Sequence, residues 1–139
     1  MHLRHYNKGD IFKIMSPKVI EAMHVSEDHI NPVYTYVLCT EHEHVLGCAG
    51  LRLIWDGVWE GWFQGAAPHI AHRYRFMVVR FVKRYLNRML NECHRIQAVV
   101  CSDDMVARRF VLFLGFEREG VLRKYGPDGK DYVIYSKVN

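Results

Sequence analysis

The sequence lacks the features that would place it among disulfide-bonded, membrane or metal-finger proteins. It has four cysteines in 139 residues, Cys39, Cys48, Cys93 and Cys101, and none of them belongs to a C-x-x-C pair. It contains no apolar run of about 18 residues that could cross a membrane, and no shorter apolar segment of the signal-peptide kind. We therefore expect reduced thiols in a cytoplasmic protein that has no contact with a membrane.

Internal repeats, low-complexity tracts and linkers are absent as well. Apolar residues make up 50% of the chain, which is enough for one substantial core but hardly for two. We expect one domain over residues 1–139. Lysine and arginine outnumber aspartate and glutamate by 19 to 15, and this mild excess suits an anionic small molecule as well as nucleic acid.

The stretch from residue 58 to residue 90 has the pattern of a strand that leads into a long helix. Residues 58–66 are rich in Trp, Phe and Val and follow Asp56-Gly57, a pair that fits a type I′ hairpin turn because Gly accepts a positive φ. Pro68 suits the first turn of a helix, and apolar residues then recur at a period near 3.6 for about six turns. Helix N-termini favour anions, so a basic helix start predicts a phosphate-binding geometry. The residues that make this start basic are His69, His72, Arg73 and Arg75.

The remaining elements follow from alternation, caps and turn residues. Residues 33–40, 45–55 and 58–66 should form three consecutive antiparallel strands. Residues 96–101 form a short β-branched run of the kind that is buried on both faces. Further strands are predicted over residues 1–6, 116–123 and 131–138, and helices after Asp10, over 18–25 and over 104–114, the last capped by Ser102-Asp103-Asp104 and ended at Gly115.

This order predicts an α+β sheet with one βαβ unit. Particular stretches then stand out, namely residues 100–110, 114–123 and 131–136, together with Leu3, Arg4 and Asp10 near the start. They are similar to the Gcn5-related N-acetyltransferases (GNAT), nearly throughout the chain in element order but specifically only in about the last 40 residues. The similarity is strongest to short, divergent members carried by tailed bacteriophages, including virion-associated ones. The resemblance implies a mixed central sheet of about six to seven strands, flanked by helices and splayed between the fourth and fifth strands.

The resemblance also implies a binding site for acetyl-CoA. The family holds the pyrophosphate on backbone amides of a Q/R-x-x-G-x-G/A loop between the fourth strand and the long helix. Residues 70–75 align with that loop but contain neither glycine. Arg73 and Arg75 could replace the amides with charge-assisted bonds, or could be the solvated face of a basic helix. The implied cofactor-binding residues are Phe63, Gln64, Gly65, His72, Arg73, Tyr74, Arg75 and Asp104.

The implied chemistry is direct attack of an amine on the thioester. Glu60 resembles the family's general-base glutamate, although a sheet-end charge in solvent is the simpler interpretation. A backbone N–H near residues 63–65 would polarise the thioester carbonyl. The family's general-acid tyrosine falls at Val111, so Tyr125 and Ser102 are the candidates that topology leaves. Glycine inside a strand marks a bulge or a close backbone approach, and the strand that carries Glu60 contains Gly61 and Gly65.

Other constellations have simpler explanations. His42 and His44 could share a metal with Glu41 or Glu43, but no third ligand group is fixed by spacing, and we expect no metal. Cys101 should be a buried, inert thiol. A wall that binds the acceptor could be formed by Trp55, Trp59 and Trp62, or these side chains could simply pack within the fold. A surface for nucleic acid could be formed by Arg80, Lys83, Arg84 and Arg88, or these residues could simply be the solvated face of the long helix.

Three functions remain open at this point. The resemblance favours an acetyl-CoA-dependent N-acetyltransferase acting on a protein lysine, an α-amine or a small amine, with a host protein among the acceptors if the chain is phage-encoded. The missing glycines and tyrosine favour a degenerate member that serves as a virion component or host-protein binder. Only the helix charge supports nucleic-acid binding. An exposed sheet edge at the C-terminal hairpin could pair two copies into a homodimer, and the protein would act in the cytoplasm, the host cytoplasm or the virion.

Overall fold

A computed structural model describes residues 2–14, 27–65 and 68–139, with side chains in the last range from residue 73 onward. Within these ranges, seven strands form one sheet and two α-helices accompany it. The bounds are β1 His2–His5, β2 Thr35–Cys39, β3 Val45–Trp55, β4 Val58–Gly65, α1 Pro68–Met89, β5 Arg95–Cys101, α2 Met105–Phe113, β6 Glu117–Leu122 and β7 Tyr132–Val138, with short 3-10 turns at Asp10–Lys13, Glu27–His29 and Pro32–Tyr34.

The strand order across the sheet is β1-β2-β3-β4-β5-β7-β6. β4 and β5 are parallel, whereas β1 with β2, β2 with β3, β5 with β7 and β6 with β7 are antiparallel. The predicted α+β class, the mixed sheet and the parallel strand reached through the long helix are therefore confirmed. The helix predicted over residues 18–25 lies outside the described residues. None of the helices in the described ranges combines the length and apolar character needed to cross a bilayer.

The chain divides into two compact units, and the first comprises Met1–Arg52 and Trp62–Tyr74. Its core is a cluster of buried side chains, with Trp62 packed against it. This packing is the simpler of the two interpretations considered for Trp62. Gly47 of β3 lies close to the end of β4. A Cβ added to Gly47 would lie only 3.2 Å from Gln64 O and 3.5 Å from Gly65 Cα. The core residues are Tyr6, Ile11, Val37, Cys39 and Cys48.

A buried ion pair joins β1 to the turn that follows it. Arg4 donates from Nη1 to Asp10 Oδ2 at 2.7 Å and from Nη2 to Oδ1 at 3.0 Å, and the Asp10 side chain is fully buried. The backbone N–H of Asn7 and Nζ of Lys13 also bond this carboxylate, at 2.8 and 3.2 Å. Burial by itself would raise the pKa of Asp10, but these donors outweigh it and lower the pKa to about 2. Two of the residues that carry the family resemblance, Arg4 and Asp10, therefore form a structural contact.

The second unit comprises Leu53–Gly61 and Arg75–Asn139. β5 lies between β4 and β7, and the side chains of Ile96, Val133 and Tyr135 are almost completely buried. Leu86 and Met89 of α1 are also buried. The apolar period of the long helix therefore marks the residues that pack, as the sequence predicts.

Caps define the short helix α2. Asp104 is its N-cap, and Oδ1 accepts a hydrogen bond from the N–H of Ala107 at 2.9 Å. At the other end Gly115 adopts φ +90° and donates to Leu112 O, while Phe116 donates to Val111 O. These two bonds form a Schellman motif, in which the residue after the cap is left-handed and therefore usually glycine. The predicted start and stop of this helix are confirmed.

Three details differ from the sequence predictions. Gly57 has φ +78°, but Asp56 is not among the residues of positive φ, so the turn is not type I′, which requires positive φ at both positions. Strand β2 begins at Thr35 because Asn31 caps a 3-10 turn at Pro32–Tyr34. Strand β5 is not buried on both faces, since buried and half-buried residues alternate along its first four positions.

Candidate active site

The parallel ladder between β4 and β5 is short. Its partners run from Val58 with Arg95 to Gly61 with Ala98, and no pair follows, although β4 continues to Gly65 and β5 to Cys101. Beyond Ala98, β5 remains paired with β7. The ladder therefore ends at a glycine of β4, and this fits the splayed fourth and fifth strands that the family resemblance implies.

Glu60 lies in the last part of this ladder, directly opposite Gln97 of β5. The Gln97 amide donates from Nε2 to Glu60 Oε2 at 3.1 Å, and its oxygen accepts from Nε of Arg95, also at 3.1 Å. Because Arg95 can only donate, the oxygen of Gln97 must face the guanidinium and its NH2 must face the carboxylate. Glu60 is therefore half-buried and held in a defined orientation by a side chain of the neighbouring strand.

The network continues to strand β6. Arg95 makes a bidentate ion pair with Glu119, in which Nη1 and Nη2 each lie 2.7 Å from a carboxylate oxygen. Ser136 of β7 also donates a hydrogen bond to Glu119 Oε1. Glu119 occupies the register shift between Arg118 and Gly120, where β6 carries an extra residue. The Arg95 pairing and the Ser136 bond lower the pKa of Glu119 to about 2. The sequence does not reveal this network, because alternation shows which face of a strand a residue lies on but not where a bulge reorients a side chain.

The Arg95–Glu119 pair predicts a measurable acid dependence. Because the pKa of Glu119 is about 2 in the folded chain instead of 4.5, its contribution to stability is complete above about pH 4.5 and is lost as the pH falls towards 2. The Glu119 side chain is 39% exposed, so solvent screens the pair, and we expect Glu119→Gln to cost only about 0.5–1 kcal/mol at pH 7. Urea unfolding would measure the difference in the free energy of unfolding between the wild-type chain and Glu119→Gln. We expect this difference to be smaller at pH 3 than at pH 7.

The control for this experiment is Glu117→Gln, which removes an exposed carboxylate from the same strand. It should leave the free energy of unfolding nearly unchanged at both pH values. If Glu119→Gln lowers the free energy of unfolding by the same amount at pH 7 and at pH 3, the ion-pair explanation is contradicted.

The candidate acids Ser102 and Tyr125 lie near the far ends of β5 and β7. Ser102 follows β5 and donates from Oγ to Asp131 O at 2.9 Å, while Tyr125 is 57% exposed and its ring lies edge-on to Tyr132 at 5.4 Å. Ser102 is five residues beyond Gln97, which corresponds to about 16 Å along a strand. The structure therefore brings Ser102 and Tyr125 to one end of the sheet but leaves Glu60 well away from both. Asp104 lies just beyond Ser102, where its carboxylate is engaged as the helix cap.

The basic segment that aligns with the pyrophosphate loop is helical. Residues 70–75 lie within the first two turns of α1, not in the loop ahead of it. The backbone N–H groups of Arg73, Tyr74 and Arg75 fall beyond the first helical turn, so only their side chains could contact a phosphate. Arg73 lies over the Tyr74 ring at 5.7 Å and Arg75 over the Phe76 ring at 4.8 Å, and both arginines are exposed. The side chain of His72 is outside the described residues.

The other predicted positions vary in exposure. Phe63 is exposed and Gln64 and Gly65 are half-buried at the end of β4. Val111, where the family has a tyrosine, is a buried core residue. Cys101 is half-buried, not buried as predicted, although all four cysteines are free thiols. The basic face of α1 is exposed at each of its four positions, Arg80, Lys83, Arg84 and Arg88.

A mixed seven-stranded sheet with a parallel fourth and fifth strand, joined by a long helix, defines the fold of the Gcn5-related N-acetyltransferases. The chain is similar to the spermidine/spermine N-acetyltransferase SpeG from Vibrio cholerae, at 18% identity and a TM-score of 0.70, over 99% of this chain and 91% of that chain. It is similar to a GNAT-family acetyltransferase from Bacillus anthracis, at 14% identity and a TM-score of 0.68, over 98% and 93% of the two chains. A third similar structure is the ribosomal-protein-S5-alanine acetyltransferase from Vibrio fischeri, at 14% identity and a TM-score of 0.65, over 99% and 92%.

No protein-family model matches the sequence, and no curated protein matches it either. Identities this low establish the fold alone. The fold expected from the resemblance is therefore confirmed, while the names of the similar structures already differ in what is acetylated, spermidine/spermine in one and a ribosomal-protein alanine in another.

Proposed function

We propose that this chain, as a single domain over residues 1–139, transfers an acetyl group from acetyl-CoA to a primary amine. The observation that carries the proposal is the end of the β4–β5 ladder at Gly61 within a GNAT fold, beside a carboxylate that a neighbouring strand orients. A protein lysine, an α-amine and a small amine are all compatible acceptors, because a fold specifies its acceptor poorly.

Acetyl-CoA would lie along the part of β4 that extends beyond the β4–β5 ladder. A backbone N–H between Phe63 and Gly65 would donate to the thioester carbonyl, which gains negative charge as the amine attacks. The diphosphate would be held by the exposed guanidinium groups of Arg73 and Arg75. Side-chain donors suit this segment because its backbone N–H groups are already inside the helix. The remaining proposed contacts to acetyl-CoA are made by His72, Tyr74 and Asp104.

The reaction joins the amine nitrogen to the acetyl carbon and breaks the carbon–sulfur bond. Glu60, directly or through one water molecule, accepts the proton that the ammonium group loses. The departing thiolate needs a proton, and the exposed hydroxyl of Tyr125 is better suited than Ser102, whose Oγ–H is bonded to Asp131 O. The amine nitrogen and the sulfur are bonded to the same carbon, so Glu60 and Tyr125, which lie far apart, cannot both contact the reacting group. The proton from Tyr125 would therefore reach the thiolate through intervening water molecules.

Calorimetric titration with acetyl-CoA tests the proposal directly. We expect saturable heat and a rise in melting temperature, because a ligand that binds only the folded chain stabilises it. Desulfo-CoA keeps the nucleotide, the diphosphate and the pantetheine arm but lacks the sulfur, so it serves as the control ligand for contacts made without the thioester. The absence of both heat and a thermal shift at millimolar acetyl-CoA would refute the enzyme proposal.

Arg73→Ala should weaken acetyl-CoA binding if the guanidinium contacts the diphosphate. Loss of one charge-assisted hydrogen bond of about 1.5–3 kcal/mol corresponds to a roughly 10- to 100-fold rise in Kd. Arg88→Ala is the matched control, because Arg88 lies over the Tyr85 ring at 5.6 Å, nearly the geometry of Arg73 over Tyr74, but at the other end of α1. Equal Kd values for the two variants would remove Arg73 from the site.

A degenerate binding protein is the second candidate, and the buried Val111 favours it. The family's acid is replaced there by a core side chain, and the glycines of the pyrophosphate loop are absent. Such a protein would retain the fold but bind acetyl-CoA weakly or not at all. The same calorimetric titration therefore separates the two candidates.

A further inference from the structure

Three potential metal ligands from separate parts of the first unit lie together at the edge of the sheet. A ring nitrogen of His2, the sulfur of Cys39 and a carboxylate oxygen of Glu43 are all within 4.8 Å of one another. His2 and Cys39 are directly opposite in the β1–β2 ladder, so their side chains leave the same face of the sheet. Glu43 comes from the loop that joins β2 to β3. In the sequence, only His42 and His44 with Glu41 or Glu43 suggest metal ligands, and because spacing fixes no third ligand group, the sequence predicts no metal.

The loop holds Glu43 in place over the two strands. Thr40 N–H donates to His44 O at 2.9 Å, and Glu43 N–H donates to Thr40 O at 3.1 Å, which closes a tight turn. Glu43 itself has φ +61°, a left-handed conformation that few residues of its type adopt. Its carboxylate oxygens lie 2.8 Å from Nε2 of His2 and 3.1 Å from Nε of Arg4. The carboxylate is therefore oriented towards His2 by contacts on both sides.

The local charge also suits a divalent cation. Arg4 is the nearest cation, and it is shared between Asp10, through two hydrogen bonds, and Glu43, through one. Arg4 and Lys13 together balance Asp10 and Glu43, so a Cys39 thiolate would add one net negative charge for the divalent cation to offset. A metal binds the Cys39 thiolate, so the thiol proton is released as the ion binds.

We propose that His2, Cys39 and Glu43 bind a zinc-like divalent transition metal, with one coordination position left open. Nitrogen, sulfur and carboxylate donors together select zinc and its neighbours over magnesium or calcium, which prefer oxygen alone. Bonds of about 2.0–2.3 Å at tetrahedral angles place ligand atoms roughly 3.3–3.8 Å apart. The His2–Glu43 separation of 2.8 Å must therefore widen by about 0.5–1 Å, and any separation near the 4.8 Å limit must shorten by about 1–1.5 Å.

The ion would fasten the first strand to the loop that follows the second. Bound metal adds stability only to the folded chain, so the melting temperature should depend on metal concentration. This consequence does not depend on acetyl-CoA. It can be tested whether or not the acetyltransferase proposal holds.

The test uses the untagged full chain and cobalt(II), whose bond to a thiolate gives a charge-transfer absorption. We expect a saturable band at one cobalt per chain, bleached by zinc, and a higher melting temperature with either metal. Cys39→Ser should abolish the band, and His2→Gln should weaken cobalt binding at least roughly tenfold. Cys101→Ser and His44→Gln are matched controls that should leave binding unchanged.

His2→Gln keeps the test decisive if Cys39→Ser fails to fold, because the His2 side chain is 43% exposed and its replacement creates no cavity. The proposal is overturned if cobalt gives no thiolate band, if the band survives in Cys39→Ser, or if His2→Gln binds cobalt as tightly as His44→Gln does.

Discussion

Replacing Glu60 by glutamine should lower kcat for amine acetylation about 100-fold or more, while the Kd for acetyl-CoA stays unchanged. A general base contributes roughly 10²–10⁴ to the rate, and an amide cannot accept the proton. The substitution keeps the size of the side chain, and its amide oxygen can still accept the hydrogen bond from Gln97. The network with Arg95 should therefore persist, so the loss is chemical and not structural. Steady-state kinetics with a panel of amines, alongside calorimetry with acetyl-CoA, would measure both quantities.

Glu117→Gln is the control for charge, since it removes an exposed carboxylate of β6 that is not part of the Glu60 network. Its kcat should match that of the wild-type chain. If Glu60→Gln retains full kcat for an amine that the wild-type chain acetylates, the base lies elsewhere. If the wild-type chain acetylates none of the amines, there is no rate to compare, and the calorimetric titration alone separates the two candidates.

Arg4→Met should destabilise the fold by about 3 kcal/mol, near the lower end of the 3–5 kcal/mol typical for breaking a buried ion pair. The substitution retains an apolar stem but leaves the fully buried Asp10 carboxylate without its main partner. The cost is moderated because Asn7 N–H and Lys13 still bond the carboxylate. Urea unfolding at pH 7 in the presence of a chelator would give the free energy without any contribution from bound metal.

Two variants sharpen this experiment. Arg118→Met removes an exposed arginine from β6 and should change the free energy of unfolding by less than about 0.5 kcal/mol. Arg4→Met combined with Asp10→Leu should be more stable than Arg4→Met alone, because removing both charges leaves no uncompensated carboxylate. An Arg4→Met chain as stable as the wild type would show that the pair adds nothing to the fold.

The acceptor and the biological setting remain predictions. The phage origin, the host protein as acceptor and the cytoplasmic or virion location rest on the resemblance. A homodimer through the edge strand β6 also stays a prediction, which sedimentation of the purified chain would test.

Local chemistry made several elements predictable. The apolar and β-branched run at Val45–Trp55, the periodic helix from Pro68 and the cap at Asp104 each match the structure closely. Each depends on interactions within a few residues, which composition and spacing record directly. The Asp56-Gly57 turn was placed correctly but assigned the wrong type, because the pair permits several turns and the flanking strands select one.

Contacts between distant segments could not be predicted in this way. The orientation of Glu60 depends on Gln97 and Arg95, and the position of Glu119 depends on a bulge in β6. The group of His2, Cys39 and Glu43 depends on the pairing register of β1 with β2. A shift of that register by one residue would send His2 to the other face of the sheet.

The sequence by itself determined the order of strands and helices, the ends of α2 and the basic character of the start of α1, because these follow from backbone preferences and short-range hydrogen bonds. Only the tertiary structure decided which groups form hydrogen bonds to the same carboxylate, where the β4–β5 ladder ends and which thiol lies beside a histidine. Those outcomes depend on strand pairing, which brings together residues that the chain keeps far apart.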